Sequence, residues 1–191
     1  MAEKLQPTVW RTCRVLANRT RLKMFAVVAQ KPDMTVSAVA TGVKLPLPVT
    51  SMYLRALEAR GLLMSDRDGR WVTYRVSEAN GPVAPLVLAL RSSARRNAKF
   101  ADAAFSLATA FTHPRRVDVF RSLSEQPRAL AALKLATGIP ERALLRHLQK
   151  LRTRCFVVYR RGRPGTYAAK NQDNAVGRAL AELASGGAGS S

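Results

Sequence analysis

The chain is poor in most of the residues that carry chemistry. Its 191 residues include two cysteines, Cys13 and Cys155, and two histidines, His113 and His147. There is no Cys-x-Cys pair and the histidines are isolated in sequence. A tetrahedral metal site needs about four nitrogen or sulfur ligands, so metal sensing is not expected. Two thiols make no disulfide framework, and both read as incidental small hydrophobes in a reducing, cytoplasmic setting. No Ser/His/Asp set, paired carboxylates or glycine-rich phosphate loop occurs. That argues against an enzyme, and no cofactor is expected. No run of eighteen apolar residues is present to span a bilayer, and Glu3, Lys4, Gln6 and Pro7 interrupt any signal-like stretch.

Acidic residues are scarce too: 12 Asp and Glu against 32 Lys and Arg, a formal charge of +20. The surplus is spread out. Residues 1–80 carry +7, residues 81–112 carry +3 and residues 113–191 carry +10. A surplus running through folded domains costs stability by self-repulsion unless a polyanion relieves it. Nucleic acid is the first such polyanion, a membrane surface the second.

What the chain has in place of catalytic motifs is a repeat. Asn18-Arg19-Thr20-Arg21 with Phe25 answers to His113-Pro114-Arg115-Arg116 with Phe120 at an offset of 95. Ala40-Thr41-Gly42-Val43 answers to Ala136-Thr137-Gly138-Ile139 at 96. Leu54, Leu57 and Arg60 answer to Leu148, Leu151 and Arg154 at 94, and Gly69-Arg70 and Tyr74 to Gly162-Arg163 and Tyr167 at 93. A repeat of this length is a whole domain rather than a solenoid unit. Domains are expected over 1–81 and 112–184, with a shared connection over 82–111 and a flexible Gly/Ser tail over 185–191.

In repeat one, apolar spacing predicts a helix over 4–17, a second helix capped by Asn18, a short helix capped by Thr35 and closed by Gly42 at positive φ, and a third helix to about Arg60. Two strands follow, with Asp66–Arg70 as the turn between them. From Leu86 to Phe111 there is neither Gly nor Pro. About 26 residues would make a rod about 39 Å long, either continuous or broken near Arg95-Arg96-Asn97. Repeat two predicts helices from Pro114 to about Glu125, Arg128 to Thr137 and Glu141 to about Thr153, strands over 156–160 and 166–169, and a last helix around Val176, Leu180 and Leu183.

This order resembles winged-helix transcriptional regulators of the arsenical-repressor (ArsR) type. Repeat one carries the likeness in Leu16–Leu22, Tyr53–Leu62, Gly69 and Tyr74, and repeat two in His113–Arg116, His147–Leu151, Gly162 and Tyr167. The resemblance implies a mainly α fold with small β-hairpins: tandem winged helix-turn-helix domains forming a single-chain pseudo-dimer joined by a long helix. It implies duplex DNA as partner, read by the recognition helices and the wings, with a homodimer or protein partner through helical surfaces as a further option.

The two reading surfaces differ. Repeat two offers Arg142, Arg146, His147 and Lys150, with Leu144, Leu148 and Leu151 inward. Arg pairs bidentately with guanine and Lys takes guanine or phosphate. Its wing offers Arg160, Arg161 and Arg163, suited to a narrow minor groove. Repeat one offers Thr50, Ser51, Tyr53 and Arg55, with Arg67 and Arg70 on a wing that also holds acids. Repeat two is therefore expected to dominate. Two other classes stand beside a sequence-reading regulator: a nucleoid-type architectural protein that coats DNA through charge, and an interaction module using the Met52/Tyr53 face of repeat one. His113 is expected to cap a helix.

Overall fold

A computed structural model describes residues 8–69, 71–78 and 80–186. The start of the first expected helix, Arg70 and most of the expected tail lie outside the described residues. The chain runs α1 (Val9–Leu16), α2 (Arg19–Gln30), β1 (Met34–Thr35), α3 (Val36–Val43), α4 (Leu47–Glu58), β2 (Leu63–Asp68), β3 (Trp71–Val76), α5 (Ala84–Arg96) and α6 (Phe100–Ala108). It continues through α7 (Pro114–Glu125), β4 (Arg128–Ala129), α8 (Leu130–Thr137), α9 (Glu141–Thr153), β5 (Val157–Arg160), β6 (Thr166–Ala169) and α10 (Ala175–Ser185). The fold is mainly helical with two small antiparallel sheets, ordered β1-β3-β2 and β4-β6-β5.

Local chemistry explains the helix starts. The Asn18 side chain accepts from the Arg21 N–H at 3.0 Å, and Thr35 Oγ1 accepts from the Ala38 N–H at 3.2 Å. His113 Nδ1 accepts from the Arg115 N–H at 3.2 Å, with Pro114 opening the helix where its missing N–H costs nothing. Behind those caps, α2 buries Leu22, Phe25, Val28 and Ala29, and α7 buries Val117, Phe120 and Leu123.

Several expectations need correcting. Gly42 does not close α3. The helix continues to Val43, and Lys44 adopts the left-handed conformation at φ +55, its N–H donating to Thr41 O. In repeat two, Gly138 does fill that role, at φ +63. The helix expected from Arg128 starts at Leu130, because Arg128 and Ala129 pair with Tyr167 and Thr166 as a strand. The hairpin of repeat one is longer than expected: pairing runs out to Asp68↔Trp71, so Asp66 and Arg67 lie in β2 rather than in the turn. Of the two forms expected for the 86–111 segment, the structure has the broken one, with α5 ending at Arg96. Asn97 is extended (φ −125, ψ 111), and its Oδ1 accepts from the Lys99 N–H at 2.8 Å, an Asx turn that competes with the helix.

Cys155 is not a buried hydrophobe. It is exposed and sits at φ +61. Gly61 holds the matching place, at φ +66. The Gly61 N–H donates to Glu58 O and the Leu62 N–H to Leu57 O, while the Cys155 N–H donates to Arg152 O and the Phe156 N–H to Leu151 O. Cys155 after α9 and Gly61 after α4 thus end their helices with the same left-handed cap. Cys13 is fully buried, and burial pushes its thiol up to about 12.

The helices bury one continuous core. Phe25 meets Phe100 at 6.1 Å, and Phe111 lies 5.1 Å from Phe120 and 4.7 Å from Phe156 in edge-on contacts. Helix α10 packs on α5, α6 and α7, and α1 packs on α2, α6 and α7. Truncating a ring as enclosed as Phe111 costs about 3–5 kcal/mol. No helix among the described residues is long and apolar enough to cross a membrane.

Candidate nucleic-acid interface

Helix α9 is the most strongly two-sided of the candidate reading elements. Leu144, Leu148 and Leu151 form its buried stripe at helical spacing, which turns Arg142, Leu145, Arg146 and Gln149 to solvent. None of the ion pairs among the described residues involves Arg142 or Arg146. Near the helix start, Glu141 lies 3.9 Å from Lys134 of α8.

His147 and Lys150 flank the stripe and are half-buried. The His147 ring stands 5.0 Å from that of His113, so the cap of α7 touches α9. Burial pushes the His147 pKa down to about 4, helped by repulsion from His113, Arg116, Arg115 and Arg146. At neutral pH the ring is therefore uncharged within a cationic cluster. Lys150 is also held below its ordinary value, by burial and then by Arg154 and Arg116. Arg115 and Arg116 were not picked out as candidates from sequence. Their position in the first turn of α7, beside His113, brings their charge to α9.

The wing adjoins the end of this helix. The Arg152 guanidinium lies 5.9 Å from the centre of the Tyr159 ring. Tyr159 pairs with Tyr167 across β5 and β6, their rings 5.0 Å apart. The Tyr159 hydroxyl folds over Gly165 and leaves no room there for a Cβ. Arg160, Arg161 and Arg163 are exposed, and none has an ion-pair partner among the described residues.

Repeat one presents a different face. Thr50, expected to face the duplex, is fully buried and donates its hydroxyl to Pro46 O at 3.1 Å. It lies four residues before Leu54, on the inward stripe, and cannot reach a ligand. Ser51 and Tyr53 are half-buried, with the Arg21 guanidinium 5.0 Å from the Tyr53 ring. Leu47 and Met52 are 50% and 57% exposed. Arg55 is exposed, but it flanks the Tyr74 hydroxyl together with Glu58; burial and then Glu58 raise that hydroxyl's pKa. On the wing, Arg67 is exposed beside Asp66, whose Oδ1 accepts its backbone N–H at 2.9 Å. Arg70 lies outside the described residues.

Curated proteins that resemble part of this chain include two regulators. The arsenic resistance transcriptional regulator ArsR1 of Pseudomonas putida is 34% identical over 76 residues, 40% of this chain and 58% of that protein. The arsenical resistance operon repressor of Escherichia coli K12 is 31% identical over 64 residues, 34% of this chain and 55% of that protein. The chain is similar, over part of its length, to transcriptional regulators. The matched stretch spans little more than half of either relative. No family model and no solved structure matches the chain. Among the described residues, no three His, Cys, Asp or Glu side chains gather as a metal site would require.

Proposed function

We propose that this chain is a cytoplasmic DNA-binding transcriptional regulator built as two fused winged helix-turn-helix units. The units span 1–81 and 112–184, joined through 82–111, and α9 with the second wing does most of the reading. One observation carries the proposal: a helix with a fully apolar inner stripe turns unpaired Arg142 and Arg146 outward beside a hairpin bearing Arg160, Arg161 and Arg163. A helix in the major groove and a flanking wing is the docking mode such a surface supports. The partial likeness to two regulators and the +20 charge point the same way.

Selection from random duplexes at two salt concentrations tests it. The expected product is an enriched motif bound at least about 10³ more tightly than bulk DNA. Because α4 and α9 differ, the motif should have one strong and one weak half rather than a palindrome. An absence of enrichment, with affinity falling by a slope of about −0.9 per phosphate neutralised, would identify the architectural reading instead. A second reading is favoured by the exposed Leu47 and Met52 of α4: that face docks a protein partner while α9 holds DNA. Loss of such a complex on Met52→Glu, with DNA binding kept, would support it.

A further inference from the structure

Away from the reading surface, a cavity of about 450 Å³ opens where the end of α5, one side of α6, the turn after α9 and the β6–α10 connection meet. Its volume is in the range of small-molecule sites. One wall is small and apolar, formed by Ala103, Ala104, Leu107 and Val176.

Its polar lining is biased toward donors. Asn97 Oδ1 accepts from the Lys99 N–H at 2.8 Å, and Asn174 Oδ1 accepts from the Gly177 N–H at 2.7 Å. Each Asn therefore has its NH₂ left to offer. Arg154 donates one Nη1 bond to Ser106 Oγ at 3.1 Å, which leaves its other amino group as a donor. Lys170 adds a second cation, and Asp173 is the one carboxylate of the lining. The formal charge of the lining is thus +1, which suits a monoanion better than a dianion. Gln172 Nε2 holds the mouth together, donating to Cys155 O at 2.7 Å and Lys170 O at 3.0 Å.

We propose that this cavity binds a small organic monocarboxylate, its carboxylate held by Arg154 and Lys170 and its apolar body resting on Ala103, Ala104, Leu107 and Val176. Neither partial relative's name describes such a ligand. Binding itself does not depend on the DNA reading. Its consequence does: Arg154 and Cys155 terminate α9, so an occupant would be felt at the end of the reading helix.

The test uses the full chain without DNA. Cys155 is exposed and Cys13 buried, so iodoacetamide should alkylate Cys155 selectively. A set of small aromatic and branched-chain carboxylic acids, benzoate among them, is compared with the matching primary amides and with inorganic phosphate. At least one acid should slow Cys155 alkylation saturably and shift backbone amide resonances over 153–155 and 170–174. Its amide should bind at least about tenfold more weakly, since a charge-assisted hydrogen bond is lost. Lys170→Gln, an exposed change that leaves the fold intact, should weaken the acid by about tenfold. Acids and amides protecting alike, no acid protecting at millimolar concentration, or phosphate binding as well as any acid would overturn the assignment. Adding duplex DNA afterwards separates the claims: an acid that binds without altering DNA affinity removes the coupling and leaves the site.

Discussion

His147 offers the sharpest quantitative test, because the fold moves its proton equilibrium far from the unfolded value. An unperturbed histidine titrates near pH 6.5. In the folded chain burial, and then His113 and three arginines, bring His147 to about 4. The folded state thus disfavours the proton. As pH falls from about 6.5 toward 4, the unfolded chain takes up a proton that the folded chain refuses, and stability declines through that window; above it this contribution is constant. At pH 5 the full shift corresponds to about 2 kcal/mol. The ring is only half-buried and the surrounding guanidinium groups are largely hydrated, so screening reduces this to about 1 kcal/mol. Urea unfolding of wild type and His147→Gln at pH 7 and pH 5 isolates the term, because the carboxylates titrate alike in both. Wild type should lose about 1 kcal/mol more than the variant between the two pH values. High salt should shrink the difference by weakening the repulsive part. With two histidines in the chain, the ring resonance absent from His147→Gln is identifiable by NMR. Equal pH slopes, or a midpoint at or above 6.5, would refute the reasoning.

Arg146→Ala should weaken binding to a selected duplex by about 1–3 kcal/mol, the range of a base-reading arginine. Arg55→Ala, already flanking Tyr74 with Glu58, should cost less; equal shifts by electrophoretic titration would remove the asymmetry between the repeats. Thr50→Val should leave duplex affinity unchanged and alter unfolding free energy by no more than about 1 kcal/mol, the net worth of its bond to Pro46 O. A loss of DNA binding at wild-type stability would return Thr50 to the interface. Cys155→Gly should stabilise the chain by about 0.5–1 kcal/mol in urea unfolding, since Cβ strain at φ +61 outweighs the entropy gained by the unfolded glycine. An unchanged or lower midpoint would show that the left-handed conformation costs little here.

The helices were legible because their signals are redundant. Asn18 and His113 cap the segments that the apolar spacing of Leu22-Phe25-Val28 and Val117-Phe120-Leu123 already marks, and Thr35 caps the one marked by Val36, Val39 and Ala40. The two-residue strands β1 and β4 were not legible, since two residues show no period; they exist because β3 and β6 offer a free edge. The Thr50 error was avoidable. A helix turns about 100° per residue, which puts Thr50 on the buried stripe of Leu54 and Leu57 and not beside Ser51 on the outer face. The correspondence of Cys155 with Gly61 was hidden by residue type, because left-handed backbone leads a reader to look for glycine. The cavity could not be read at all. Its walls come from residues 93–107 and 153–176, and only tertiary packing brings them together.

The differences between the repeats fall on their outward surfaces more than on their frames. Leu54 and Leu57 serve α4 as Leu148 and Leu151 serve α9, and the left-handed caps at Gly61 and Cys155 coincide. Outside that frame, one helix shows Leu47 and Met52 where the other shows Arg142 and Arg146. One wing sets Arg67 beside Asp66, while the other carries three arginines and no acid. A frame maintained in both halves while the outer positions differ fits two jobs for one architecture. On the proposed reading the arginine-bearing face of α9 meets a polyanion, while the face of α4 around Leu47 and Met52, in a half that itself carries +7, meets something less charged.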